Sequence, residues 1–213
     1  MSNLLENADV RVVLDRLFTA AEDDENRQPA TRPVGAQERA DALADIYMPI
    51  SATGGRLLYS LVRASRPETV VEFGTSFGIS TIHLAAGVAD NGIGHVYGSE
   101  MSAAKLAAAE ANLKEAGLAE WATILGGDAR ETLAGVPGPI GLVLLDGWKE
   151  LCLPVLRLLE PRLKPGALVI GDDSSFESMA DYLVHVREPA NGYVSVAFPV
   201  EDGMEVSCFT GAP

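Results

Sequence analysis

Basic residues are scarce in this chain: Lys and Arg number 16 against 30 Asp and Glu, for a formal net charge of −14. No segment clusters the positive side chains. Neutralising a nucleic-acid backbone needs such clusters, so a nucleic-acid partner is disfavoured, and an anionic membrane surface with it. Long apolar runs are also missing, and no stretch of about 20 residues is apolar enough to span a bilayer. The start, MSNLLENADVRVVLDRLF, has no basic residues ahead of an apolar run. It does not read as a secretory signal, and a cytoplasmic protein is expected. Cysteines are few, and Cys152 and Cys208 stand far apart, so both are read as reduced packing residues. His83, His95 and His185 are scattered, which argues against a histidine-based metal site.

What is present is ordinary globular material, 47% hydrophobic and 22% charged over 213 residues. That suits one domain with a short appendage. Residues 2–24 place Leu4, Leu5, Val10, Val13, Leu14, Leu17 and Phe18 at helical spacing. A polar loop is expected over 22–37 and a second helix over 36–47, ended by Pro49. From Gly55 onward, short apolar runs alternate with helical stretches. TVVEF (69–73), GHVYGS (94–99), ATIL (122–125), IGLVLL (140–145) and ALVI (167–170) read as strands. Helices are expected over 79–89, 102–116, 151–163 and 175–187, with a short helical turn at 130–133. Ser102 should cap the second of these helices and Gly117 should follow it. YVSVAF (193–198) and MEVSCF (204–209) alternate, and Asp202-Gly203 between them is a hairpin signal. The expected fold is therefore α/β: a doubly wound, mostly parallel seven-stranded sheet with a C-terminal antiparallel hairpin. The expected division is an N-terminal helical lid or dimerisation segment, 1–50, and a main domain, 51–213.

Ligands of open α/β sheets bind outside the carboxyl ends of the strands, so the residues there carry the chemistry. The first strand runs through Glu72-Phe73 into Gly74-Thr75-Ser76-Phe77-Gly78. Gly74 and Gly78 allow a sharp turn and close approach of a ligand to the backbone. Their spacing is G-x-x-x-G, not the G-x-G-x-x-G of dinucleotide sites; the alternative is a plain strand–helix turn. Glu100 after the second strand can accept from two ribose hydroxyls, or can simply favour the helix that follows. Asp128 after the third strand can accept from an adenine amino group, or can belong only to a turn. Three such features at successive strand ends describe a nucleoside site with no second phosphate-binding device. That suits S-adenosylmethionine (AdoMet) better than NAD.

Asp146 ends the fourth strand, and Asp172 and Asp173 end the fifth. These strands are expected to be neighbours, so three carboxylates should converge, and a divalent cation such as Mg²⁺ would relieve their repulsion. Otherwise Asp172 and Asp173 would cap a helix, and Asp146 would be a solvated strand end. Lys149 lies beside them. Near a metal and a sulfonium its pKa should fall, fitting it for a general base, unless it merely pairs with Asp146. Glu205 enters the last strand and reads equally as a partner for a substrate hydroxyl or as an exposed strand residue.

VVEFGTSFGIS, YGSEM, GGDA, LLDGWK and VIGDD, in this order, resemble the class I AdoMet-dependent O-methyltransferases, within them the catechol and caffeoyl-CoA O-methyltransferase group. The resemblance spans roughly residues 46–211. It implies that Glu72, Gly74, Thr75, Ser76, Gly78 and Ser80 surround the methionine part of AdoMet, with Met48 and Ile50 covering the cofactor. It implies Glu100 at the ribose, Met101 packed on adenine, and Asp128 and Ala129 at the adenine edge, with Trp148 against the cofactor. Asp146, Asp172 and Asp173 would hold Mg²⁺, with Asp146 also beside the cofactor. Lys149 would be the catalytic base, and Glu205 would hold the second catechol hydroxyl. Two departures stand out. Asp173 replaces the family's usual Asn, and Gly147 replaces a usual His or Ala, which should loosen one wall of the adenine pocket. The implied activity is metal-dependent methyl transfer to a hydroxyl of a small catechol-like acceptor, by a protein that could form a homodimer. Acceptor selection is expected in the N-terminal segment and in the loops near 174–179 and 199–204. An NAD-dependent oxidoreductase and a non-catalytic AdoMet-binding protein are the alternatives.

Overall fold

The computed structural model describes residues 3–27 and 35–211; of the expected polar loop, residues 28–34 lie outside the described residues. Seven strands form one sheet: β1 (Thr69–Phe73), β2 (His95–Glu100), β3 (Ala122–Gly126), β4 (Ile140–Leu145), β5 (Leu163–Gly171), β6 (Tyr193–Phe198) and β7 (Met204–Phe209). Their order is β3-β2-β1-β4-β5-β7-β6. The first five strands run parallel, while β7 is antiparallel to both β5 and β6. This is the expected doubly wound sheet with its terminal hairpin. The winding reverses between β1 and β4, so a crevice opens at their carboxyl ends.

Helices cover both faces: α1 (Ala8–Ala21), α2 (Ala36–Ala42), α3 (Ala52–Ser65), α4 (Ile79–Asn91), α5 (Ala103–Glu115), α6 (Ala129–Thr132), α7 (Cys152–Leu159) and α8 (Ala180–Arg187). Successive residues of the apolar strands face opposite ways. Val70, Leu142 and Leu144 pack with Leu17, Leu58, Ile82 and Leu113. Val71, Val143 and Leu145 pack with Leu133, Leu156 and Tyr182. Burial on both faces explains why β4 carries no polar side chain and why β1 carries only Thr69 and Glu72, both buried.

Helix α5 starts where its cap places it, with Ser102 Oγ accepting from the Lys105 amide and Gly117 following in the left-handed region at φ +71°. Helix α3 was not legible in the sequence, because Gly54-Gly55 weakens the helical pattern. Close packing demands both glycines: a Cβ on Gly54 would lie 2.6 Å from Ile50, and one on Gly55 2.5 Å from the His83 ring of α4. Helix α2 stops at Ala42, short of the expected residue 47. There the Asp24 carboxylate accepts from the Tyr47 and Met48 amides, and Pro49 disfavours helical backbone just before it.

Candidate active site

A cavity of about 540 Å³ opens at the carboxyl ends of β1, β2 and β4, within the size range of small-molecule clefts. Its floor is the turn after β1. Gly74 has φ +97°, and a Cβ there would lie 2.6 Å from the Gly147 amide nitrogen, so the β1 and β4 loops touch. Non-glycine residues at positive φ concentrate at this cavity: Met48 (45°), Ser76 (48°), Asp173 (54°) and Glu201 (51°) all line it. Strained backbone of this kind persists where the surroundings over-determine it, and it clusters at functional sites.

Glu100 is held by two backbone donors. The Ser76 amide donates to Oε2 and the Ser102 amide to Oε1, each at 2.7 Å. Both oxygens keep lone pairs toward the cavity. The segment before α3 closes the site from above. Tyr47 stacks on Phe77 with centroids 3.9 Å apart, and Ser76 Oγ donates to the Tyr47 carbonyl at 2.7 Å. Met48 and Ile50 line the cavity below it. Arg39 of α2 pairs with Glu150, and its guanidinium lies 4.5 Å from the Trp148 ring.

The three aspartates meet. Ligand oxygens of Asp146, Asp172 and Asp173 lie within 4.8 Å of one another. Lys149 Nζ donates to Asp146 Oδ1 at 2.8 Å and stands 2.9 Å from Asp173 Oδ2. Burial, then Asp146 and Asp173, push the Asp172 carboxyl up to about 8. Burial likewise raises Asp146. One ammonium thus serves three crowded carboxylates, a surplus of negative charge and hard oxygen donors that fits a divalent cation. The expected fall in the Lys149 pKa concerns a lysine beside a metal and a sulfonium; among the chain's own groups the balance runs the other way. Burial works to lower it, but Asp146 and Asp173 outweigh burial and hold the ammonium above its ordinary range.

Most residues singled out in the sequence line this cavity. Gly74, Thr75, Ser76 and Ser80 lie at its floor, Met101 and Ala129 lie beside Glu100, and Trp148 and Lys149 lie next to the aspartates. Glu72, Gly78, Asp128 and Glu205 do not line it. Glu72 is wholly buried under the floor and accepts from Thr75 Oγ1 at 3.0 Å and from Thr81. Gly78, at φ +89°, caps α4. The Asp128 carboxylate caps α6 and is engaged by the Arg130 guanidinium. The reading of Glu205 as a substrate-binding acid is corrected. Its side chain is buried, with one oxygen taking Arg187 Nε at 2.8 Å and Ser195 Oγ, and the other taking Arg187 Nη2 at 2.7 Å. Strand alternation turns Glu205 away from the cavity, while Glu201 and Asp202 of the preceding loop line it.

The expectation that Gly147 loosens a wall is also overturned. A Cβ there would lie 2.4 Å from the Phe73 ring, which already fills that space. Arg39, Tyr47, Phe77, Lys105, Phe176 and Ser178 also line the cavity, and no motif announced them. Phe176, Ser178, Glu201 and Asp202 lie in the two loops expected near 174–179 and 199–204, but the sequence did not single out these side chains.

Residues 71–174 match the family model described as a methyltransferase domain. The catechol O-methyltransferase B of Danio rerio is 28% identical over 74% of this chain and 64% of its own length. The catechol O-methyltransferase of Mycobacterium tuberculosis is 32% identical over 58% of this chain and 56% of its own. The chain therefore spans about six-tenths of the length of these relatives. Among solved structures, the O-methyltransferase TomG from Streptomyces achromogenes in complex with SAM aligns with a TM-score of 0.67 and 21% identity, covering 93% of this chain and 99% of the other. The chain thus shares its fold with solved O-methyltransferases, and its residues 71–174 are similar to a methyltransferase domain. None of its described helices is long and apolar enough to cross a membrane.

Proposed function

We propose that the chain moves a methyl group from AdoMet to one of two vicinal hydroxyls of a small phenolic acceptor, with a divalent cation, Mg²⁺ first, held by Asp146, Asp172 and Asp173. The observation that carries this reading is the three-aspartate cluster with Lys149 inside the same cavity as the glycine turn and Glu100. A cation bound there supplies a Lewis acid and a template for two neighbouring oxygens.

The chain's own groups do the rest. The turn through Gly74–Ser76 receives the amino-acid end of the donor. Glu100 accepts from the ribose, and Met101, Ala129 and Trp148 enclose the adenine. Lys149 takes the proton of the attacking hydroxyl once the negative charge of Asp146 and Asp173 is otherwise engaged, because burial then lowers its pKa. Glu201, at the cavity rim, takes the part first given to Glu205 and holds the second hydroxyl. The stretch from α2 to Ile50 serves as a lid, with Asp24 pinning Tyr47 and Met48 over the donor and Arg39 covering Trp148, whereas α1 packs into the core. Holding oxygen, methyl carbon and sulfur in line supplies much of the acceleration, and no covalent enzyme intermediate is required.

The test is transfer of labelled methyl from AdoMet to vicinal diphenols and to their single-hydroxyl counterparts, with and without EDTA. Transfer confined to the diols and abolished by EDTA is expected. Equal transfer to both, indifferent to EDTA, would end the metal-assisted account.

A further inference from the structure

Three cations line the cavity, and the proposed function leaves one unused. Arg39 pairs with Glu150, and Lys149 pairs with Asp146 and Asp173. The third is Lys105, in the first turn of α5, five residues past Glu100. Only 4% of it is exposed. Among the described residues, no hydrogen bond or ion pair reaches its Nζ. The Phe77 ring centroid lies 5.6 Å from it. Burial works against its charge, while Glu100 and Asp24 support that charge through space without touching it.

A lysine stem can be buried along apolar surface while its ammonium reaches open space. Lys105 does this at the cavity wall that Glu100 also lines, so its Nζ is open to whatever the cavity holds. The Glu100 carboxylate is fixed by the Ser76 and Ser102 amides and can only accept. A diol bound to it would spend its hydroxyl hydrogens on the carboxylate and keep oxygen lone pairs in need of a donor. Lys105 is an unengaged donor on that wall. Resting on the reading of the cavity as a nucleoside site, we propose that Lys105 is a cofactor-binding residue that donates to the ribose diol opposite Glu100, so that one acceptor and one donor grip the sugar. Asp24, which pins Tyr47 and Met48, also supports the Lys105 charge through space.

The test is calorimetric binding of S-adenosylhomocysteine and of its 2′-deoxy and 3′-deoxy analogues to wild type, Lys105→Met and Lys105→Arg. Lys105→Met should weaken binding of the parent nucleoside about tenfold, the size expected for one charge-assisted hydrogen bond, and Lys105→Arg should restore most of it. On one of the two deoxy analogues the penalty of Lys105→Met should shrink to under about threefold, because the accepting oxygen is gone. Unchanged affinity for the parent, or an equal loss on all three nucleosides, overturns the assignment. A wild-type protein that binds none of them overturns the nucleoside reading itself, and that result is seen before any variant is made.

Discussion

Glu72 should make the protein less stable as pH rises through neutrality. It ends β1 with no exposed surface. Its Oε2 accepts from Thr75 and Thr81, and its Oε1 has no partner among the described residues. Burial pushes its carboxyl from the ordinary 4.5 to about 7, against the opposing pull of the Ser80, Thr81 and Thr75 hydroxyls. Between those values the folded protein keeps a proton that the unfolded chain has lost. Because the native state binds more protons there, stability falls with rising pH across the window, and the loss is complete above about 7. The interval from 4.5 to about 7 is worth roughly 3 kcal/mol, of which about 2.5 kcal/mol falls between pH 5 and 8. Urea unfolding followed by tryptophan fluorescence at pH 5 and pH 8 would measure it, comparing wild type with Glu72→Gln. Other groups titrate in both proteins and cancel in the difference. The variant should gain about 2–3 kcal/mol on wild type between the two pH values. Parallel stability curves would refute the claim that a carboxyl is held protonated under the cavity floor.

Lys149→Met should lower kcat by about 10²–10⁴-fold, the usual worth of a positioned base, while calorimetric affinity for AdoMet stays within about twofold. Asp173→Asn removes one negative charge at a position whose left-handed backbone asparagine tolerates. Its cation affinity should fall about tenfold, read by metal titration, with thermal stability little changed. Glu205→Gln should cost about 2 kcal/mol of unfolding free energy by weakening the buried bonds to Arg187, and should leave KM for the phenolic acceptor unchanged. A raised KM with full stability would return Glu205 to the substrate site.

Legibility varied with the range of the interaction. Strand β4 was plain because burial on both faces forces an unbroken apolar run, and the 102–116 helix was plain because its cap residues act locally. The hairpin was announced by Asp202-Gly203, and Gly203 indeed sits at φ +90°. The convergence of Asp146, Asp172 and Asp173 was legible because strand order makes β4 and β5 neighbours and each strand delivers its last residues to the same edge. Helix α3 was hidden, since its glycines answer to Ile50 and His83 rather than to helix propensity.

The amino-acid sequence by itself therefore determined the winding of the sheet, the glycine turn after β1 and the three carboxylates, because periodicity, caps and turn residues act over a few neighbours. Tertiary structure alone decided how charges pair across the site. It turned Glu205 onto Arg187 and brought Glu201 to the rim instead. It clamped Lys149 between two aspartates and left Lys105 without a hydrogen-bonding partner among the described residues beside Glu100. Coulomb interactions depend on distance and burial, and neither quantity is written along the chain.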